Sequence, residues 1–424
     1  FGGGENLIVV SRILSWLSGA GAVFIMFWFG RSLGLRVSTA WLCSLTLAAH
    51  VWHLRWTALS METSSTVLAV AAVGLASVES DRSARRAGLL GCLMAFASLL
   101  RPEAYLLPVV YAGSVVAFRW KRGVSRALPA LVVYAALVLP WLLFARLHLG
   151  QFLPNTAAAK SGGATLNPVL LFERVRPLAE IMGPDALLLA ALAFAVVVLP
   201  RTRVFGDPYR FLLLWVIALP TAYVVLGMQV LSRYMLLVVP FSIVLGFLAL
   251  EDLADRFGAP LRRAVVVVPA LAGVVLNVAL YLGVVVGPSR AFSHDLTHRL
   301  KDFARQIKDQ SDENAVVAAA DIGYLAFYSQ RRVLDLGGLV DRSTRRLRSE
   351  HPYDEIIEQG LYLDLAAYPR VDFFIDRDRV ANRFQGATRH GYRFETVRVE
   401  RVANLGIRNP GPFYYTLYRL ERDG

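Results

Sequence analysis

About ten apolar runs, most of them close to the 17–25 residues that span a bilayer, follow one another through the first two thirds of the chain. They fall at 7–30, 37–54, 62–78, 86–100, 103–118, 127–147, 184–200, 209–226, 231–250 and 264–287, with the third to fifth the shortest. After residue 287 the pattern changes. Residues 293–310 place Leu296, Leu300, Phe303 and Ile307 on one stripe, which predicts an amphipathic helix. The run 315–320, ended by Asp321 and Gly323, predicts a buried strand; 333–336, 371–375, 392–399 and 413–420 read as further strands, and 352–367 as a helix. The expectation is a polytopic α-helical membrane domain over 1–287 and a small α/β domain over 288–424.

Composition agrees. The chain is 56% hydrophobic and only 18% charged, with a mean hydropathy of +0.48, and the charge is concentrated in the last third. A net charge of +13 would suggest nucleic acid if it formed a patch. Instead, the basic residues of the first part sit in short joints between apolar runs. Alternate joints carry Arg31 and Arg36; Arg82, Arg85 and Arg86; Arg119, Lys121, Arg122 and Arg126; Arg201, Arg203 and Arg210; and Arg256, Arg262 and Arg263. The other joints carry Arg55; Arg101; Arg146, Lys160, Arg174 and Arg176; and Arg233. The positive-inside rule puts the richer set in the cytoplasm. The chain then reads as a multi-pass protein of the plasma (inner) membrane. The Arg101 turn, a long loop over 148–183 and everything after 287 are extracytoplasmic, and nucleic acid is not an expected partner. Cys43 and Cys92 both lie in apolar runs, so neither a disulfide framework nor a zinc site is indicated.

Chemistry gathers on the outer face. Leu99-Leu100-Arg101-Pro102-Glu103-Ala104 sets a guanidinium, a proline and a carboxylate between two apolar runs, where charges in hydrocarbon cost several kcal/mol and proline ends or bends a helix. Arg55 and Ser60-Met61-Glu62-Thr63, then Asn155 and Lys160 of the long loop, and Ser232-Arg233-Tyr234 share that side. An anionic group could meet Arg101, Lys160 and Arg233, since arginine offers a planar fork and lysine a point charge. Glu62 or Glu103 could orient a cation or a sugar hydroxyl. Each alone has a plain reading: arginines snorkel at helix ends, a glutamate suits a helix N-terminus, and a loop lysine is solvated. Their coincidence carries the argument. His50 and His53 read as interfacial packing residues. The other histidines show no metal-ligand spacing. Asp321 and Asp335 lie at expected strand ends, where ligands bind in open α/β sheets, though turn capping is favoured for both.

Taken together, these segments resemble the GT-C membrane glycosyltransferases, and within them the arabinofuranosyltransferase B type. The likeness rests on Ser60-Met61-Glu62-Thr63, Leu100-Arg101-Pro102-Glu103, Leu153-Pro154-Asn155-Thr156 with Lys160, and Ser232-Arg233-Tyr234. It continues with Asp321-Ile322-Gly323-Tyr324 and Asp335-Leu336-Gly337-Gly338-Leu339-Val340-Asp341. The resemblance implies an inverting transferase on the outer membrane face. It would move a sugar from a polyprenyl-phosphate donor to a cell-envelope glycan acceptor, with membrane lipid as its medium, no nucleotide sugar and no soluble cofactor. Arabinofuranose is the sugar it points to; other pentoses and hexoses, and a divalent-metal requirement, stay open. Arg101, Asn155, Lys160, Arg233 and Tyr234 would bind substrate. In that family the base is an acidic residue, often paired, in the first outer loop. This chain opens at Phe1-Gly2-Gly3-Gly4-Glu5, which the resemblance aligns after that loop, so the first crossing and catalytic acid are expected upstream; otherwise Glu62 or Glu103 would have to serve. A polytopic solute or lipid transporter and a lipid-linked polymer ligase or polymerase are the alternatives.

Overall fold

The computed structural model describes residues 4–79, 83–116, 120–150, 152, 164–165, 167–199 and 202–422. The chain forms two compact units, one running essentially to Tyr281 and the other from Leu282 onward.

The first unit is helical: α1 (Gly4–Ser32), α2 (Val37–Ala49), α3 (Val51–Thr57), α4 (Thr63–Glu79), α5 (Ala84–Leu100), α6 (Leu106–Val116), α7 (Trp120–Leu149), α8 (Pro168–Met182), α9 (Ala186–Val198), α10 (Asp207–Leu226), α11 (Ser232–Met235), α12 (Val239–Ala254) and α13 (Ala259–Leu280). Among the described residues five helical stretches are long and apolar enough to cross a membrane: Asn6–Ser32, Ala127–His148, Pro168–Val198, Tyr209–Leu226 and the one that begins at Ala259. The others are shorter apolar helices packed among them. At the centre lies α12, apolar on every side up to Leu250 and almost wholly buried, as a helix with no solvated face must be. It packs against α1, α2, α4, α9, α10 and α13. Outward faces carry exposed Leu17, Phe24, Leu147, Val197 and Val275, far more apolar surface than a water-soluble chain displays. This is a multi-pass membrane unit.

Three expectations need correction here. The run 37–54 is two helices, because the backbone turns extended at His50 (φ −63, ψ 124), which ends α2 and begins α3. The expected loop 148–183 contains α8. Asn167 caps it by accepting from the Val169 N–H at 3.0 Å, and Pro168 occupies its first turn, a standard start signal. Glu173, Arg174, Arg176 and Glu180 masked its apolar face in the sequence. His50 and His53 are fully buried rather than interfacial. His50 Nε2 lies 3.1 Å from the Asp185 carboxylate.

The second unit holds a six-stranded sheet in the order β2-β1-β3-β6-β5-β4: β1 (Val316–Ala319), β2 (Arg332–Asp335), β3 (Phe373–Asp378), β4 (Thr388–Arg389), β5 (Tyr392–Val402) and β6 (Phe413–Arg422). β1 is parallel to β2 and β3, and the remaining pairs are antiparallel. Strand alternation sorts the core into two layers. Val317, Ala319, Phe373, Ile375, Tyr415 and Leu417 pack with Phe303 and Ile307 on one face. Val316, Ala318, Phe374, Tyr418 and Leu420 pack with Ile356, Tyr362 and Phe394 on the other. The helix expected over 352–367 stops at Gln359, where Gly360 (φ 76) turns the chain left-handed, and a short 3-10 turn follows.

Candidate functional site

In the first unit three chain breaks bring polar groups together. Proline after Arg101 disfavours the helical conformation at residue 101. Arg101 is accordingly extended (φ −147, ψ 133), ends α5 and starts the Pro102–Tyr105 turn. Between α3 and α4, Ser60 takes a left-handed conformation (φ 51), uncommon for a residue with a side chain. It delivers Met61 and Glu62 to the start of α4. Ser232 and Arg233 lie on the single turn α11, just before the central helix.

Arg101 is 4% exposed. Its Nη1 donates to Glu62 Oε1 at 3.1 Å and to Thr63 Oγ1 at 3.2 Å. Its Nε and Nη2 fork onto Glu103 at 3.3 and 3.4 Å. The guanidinium also lies 4.9 Å from the Tyr234 ring centre. A buried arginine with two carboxylates and an aromatic face is satisfied. Glu103 is 14% exposed and Glu62 40%, so Glu62 remains reachable.

Arg233 differs. Its Nη2 donates to the Tyr234 hydroxyl at 3.2 Å and its Nη1 to the Met61 sulfur at 3.5 Å. The guanidinium lies 5.2 Å from the Tyr234 ring centre and 5.5 Å from that of Trp56. Among the described residues its buried Nε has no hydrogen-bond partner and no carboxylate pairs with it. Trp56 is held in turn by its indole N–H, which donates to Ser232 Oγ at 2.9 Å, and it also takes Arg55 at 4.9 Å. Beside Tyr234, with ring centres 6.2 Å apart, stands Tyr223, whose buried hydroxyl has no partner among the described residues.

The fold thus gathers Glu62, Arg101, Glu103, Arg233 and Tyr234, five residues singled out in the sequence. Asn155 and Lys160 lie outside the described residues. Trp56 and Tyr223 were not anticipated. Trp56 follows a joint arginine, which is a weak signal; Tyr223 is a polar tip inside an apolar run, which is none. Arg174, from the expected loop, donates to the Val224 and Val225 carbonyls at 3.1 and 3.2 Å and so closes the end of α10.

At the far end of the central helix a second charged node does structural work. Arg203 reaches Asp252 at 2.5 Å and Glu251 at 3.3 Å, Thr202 donates to Asp252 at 2.8 Å, and the Arg36 amide donates to Glu251 at 2.9 Å. These bonds pin the α9–α10 joint and the start of α2 to the end of α12.

In the second unit Asp335 accepts from the Gly337 and Val340 amides at 2.9 and 2.8 Å, a turn-capping role. Asp321 accepts from Arg377 and from the Tyr415 hydroxyl, both at 2.7 Å. Burial, followed by the Asp321 charge, pushes the Tyr415 hydroxyl far above the ordinary tyrosine range. Burial likewise raises the Asp376 carboxyl, although Arg383 pulls the other way.

Residues 292–418 match a family described as a domain of unknown function, DUF8728. No curated protein matches the chain by sequence. Among solved structures it is similar to ArnT from Cupriavidus metallidurans bound to undecaprenyl phosphate, with a TM-score of 0.55 and 15% identity over 96% of this chain and 83% of that one. It is similar to the apo state of the same protein (TM-score 0.54, 14% identity, 96% and 83% covered). It also resembles the Archaeoglobus fulgidus oligosaccharyltransferase in the apo form (TM-score 0.51, 12% identity, 88% of this chain and 59% of that one). These likenesses show the fold alone, a polytopic helical membrane architecture with an α/β domain after it.

Proposed function

We propose that the chain is a membrane glycosyltransferase that moves a sugar from a polyprenyl-phosphate carrier to a glycan acceptor on the extracytoplasmic face of the plasma membrane. The observation that carries this reading is Arg233, a half-buried guanidinium with an unpartnered Nε, walled by Trp56 and Tyr234 and free of any described carboxylate. Such a group invites an anion, and its fork suits a phosphate. The ArnT structure of the same fold holds undecaprenyl phosphate, which supports a lipid phosphate as that anion.

In the reaction, an acceptor hydroxyl oxygen forms a bond to the anomeric carbon as the bond from that carbon to the phosphate oxygen breaks. The configuration inverts, and the polyprenyl phosphate departs with the electron pair. Arg233 stabilises the charge growing on the leaving phosphate, an interaction stronger in the transition state than in the bound donor. A carboxylate receives the hydroxyl proton. Glu62, held by Arg101 yet 40% exposed, is the described carboxylate best placed to orient the acceptor, with Glu103 beneath Arg101 as its support. Asn155 and Lys160 are the further donor-side candidates from the sequence. The carrier is the sole co-substrate in this scheme. Arabinofuranose is the sugar suggested by the sequence resemblance, and cell-wall glycan is the corresponding acceptor.

The test uses the full-length protein in nanodiscs with radiolabelled polyprenyl-phosphate pentose or hexose and a glycan acceptor. Transfer that falls about 10- to 100-fold in Arg233→Ala, the loss expected for one charge-assisted donor, while the protein keeps its wild-type melting behaviour, supports the reading. No transfer from any polyprenyl-phosphate sugar, together with solute uptake into vesicles, makes the protein a transporter and sinks it.

A further inference from the structure

The second unit carries a cleft that the transfer reading does not use. Open α/β sheets usually take ligands at the carboxyl ends of their parallel strands, but here that end is closed from within. Arg377 is paired with Asp321 at 2.7 Å. Arg383 forks onto Asp376 at 2.7 and 2.9 Å and reaches Asp378 at 3.2 Å. The cations there are already matched by carboxylates.

The amino end is open. A cleft of about 490 Å³ lies where Ala315 leads into β1, Val371 into β3 and Tyr392 into β5, and where β6 ends. That volume falls within the range of ligand pockets, roughly 300–1,000 Å³. Its floor is fixed: Asp372 accepts from the Val316 amide at 2.9 Å and pairs with Arg370. Its lining holds three arginines and three carboxylates, yet their pairing is incomplete. Arg419 lies 5.9 Å from the Phe373 ring centre and Arg422 5.8 Å from that of Tyr392, and among the described residues neither forms an ion pair. A guanidinium laid on a ring is preorganised while its N–H edge stays available. Asp312 and Glu421 share the cleft.

We propose that this cleft binds an acidic oligosaccharide. Carboxylates accept hydrogen bonds from sugar hydroxyls, whereas guanidinium forks take the acid group; a ligand bearing both satisfies the whole set. Asp312 and Glu421 repel a continuous phosphate surface, so an anionic membrane or a nucleic acid fits less well. The inference does not depend on transfer chemistry in the membrane unit.

The experiment titrates the purified full chain in detergent with tetragalacturonate, using maltotetraose as the neutral control and phosphatidylglycerol vesicles as the lipid control. Isothermal calorimetry is expected to show tetragalacturonate binding at least about tenfold tighter than maltotetraose. The double variant Arg419→Gln/Arg422→Gln loses at least that factor at unchanged melting temperature, and Arg233→Ala binds as wild type does. Because both arginines are exposed at a strand end, the double variant should fold; Arg419→Glu/Arg422→Glu, which removes acidic binding while keeping the same melting temperature, gives an independent second reading. Equal affinity for the neutral sugar, undiminished binding in the double variant, absence of tetragalacturonate binding, or capture by the vesicles alone each overturns the proposal.

Discussion

Arg101 and Glu62 meet at 3.1 Å, joining the turn after α5 to the start of α4. The arginine that stands out most in the sequence is therefore already matched by carboxylates, whereas Arg233, which lies against the same Tyr234 ring, pairs with no carboxylate among the described residues. The two arginines should consequently fail in different ways when removed.

Arg101→Ala leaves Glu62 and Glu103 without their cation in a largely buried place. Breaking a buried pair in this way costs about 3–5 kcal/mol. The variant is expected to melt markedly lower or to express poorly. Arg233→Ala removes a cation that balances no described carboxylate, so it should melt close to wild type while losing affinity for a polyprenyl phosphate. Thermal melting in detergent paired with lipid-phosphate binding separates the two; matching losses of stability in both variants would contradict this division.

His50 and Asp185 make a second buried contact, at 3.1 Å, where α2 breaks into α3. Asn277 fixes the same level by accepting from the Val51 amide at 2.9 Å and donating to the Pro184 carbonyl at 3.1 Å. Asp185→Ala and His50→Ala should each destabilise by about 3–5 kcal/mol. The double variant should cost less than the sum, because neither partner is then left unpaired. Additive losses in a double-mutant cycle would show that the pair is not coupled.

Close helix packing supplies a steric test. A Cβ at Gly91 of α5 would run into the Ala130 carbonyl oxygen of α7 and press Val133 at 3.0 Å, whereas one at Gly113 of α6 meets nothing within 4 Å. Gly91→Ala must push two backbones apart and is expected to destabilise by about 1–3 kcal/mol. Gly113→Ala should be neutral or slightly stabilising, since alanine favours helix. Equal melting temperatures for the two variants would mean that α5 and α7 do not pack this tightly.

Much of the architecture was legible because two patterns are physically enforced. Apolar runs of membrane length can hardly be anything else, and the near-continuous apolar runs at 315–320 and 413–420 follow from a sheet covered on both faces. What escaped the sequence follows from competing signals. The charged stripe of α8 hid a helix that begins with an ordinary Asn-Pro start, and the break at His50 depends on Asp185 and Asn277, residues far away in sequence. In the site, charges in apolar surroundings marked Glu62, Arg101, Glu103 and Arg233. Their pairing was not legible, since nothing local says that Arg101 rather than Arg233 takes both carboxylates. Trp56 matters through Ser232, a partner that only the fold supplies.

Tyr368 in the second unit gives a pH test. Its hydroxyl donates to the Asp341 carboxylate. Burial first, and then that carboxylate, push its pKa from 10.0 up to about 12. A group whose folded pKa is raised holds its proton more tightly in the folded state. Below pH 10 the tyrosine is protonated whether the chain is folded or not, and the full stabilisation is present. Between pH 10 and about 12 the unfolded chain loses the proton first, so stability falls as pH rises through that window. Tyr368→Phe cannot titrate. The wild type should therefore be more stable than Tyr368→Phe at pH 9, and the difference should shrink steadily toward pH 12. Denaturant unfolding followed by near-ultraviolet circular dichroism checks this. A difference that stays constant across the window would mean that the Tyr368–Asp341 hydrogen bond does not govern the ionisation.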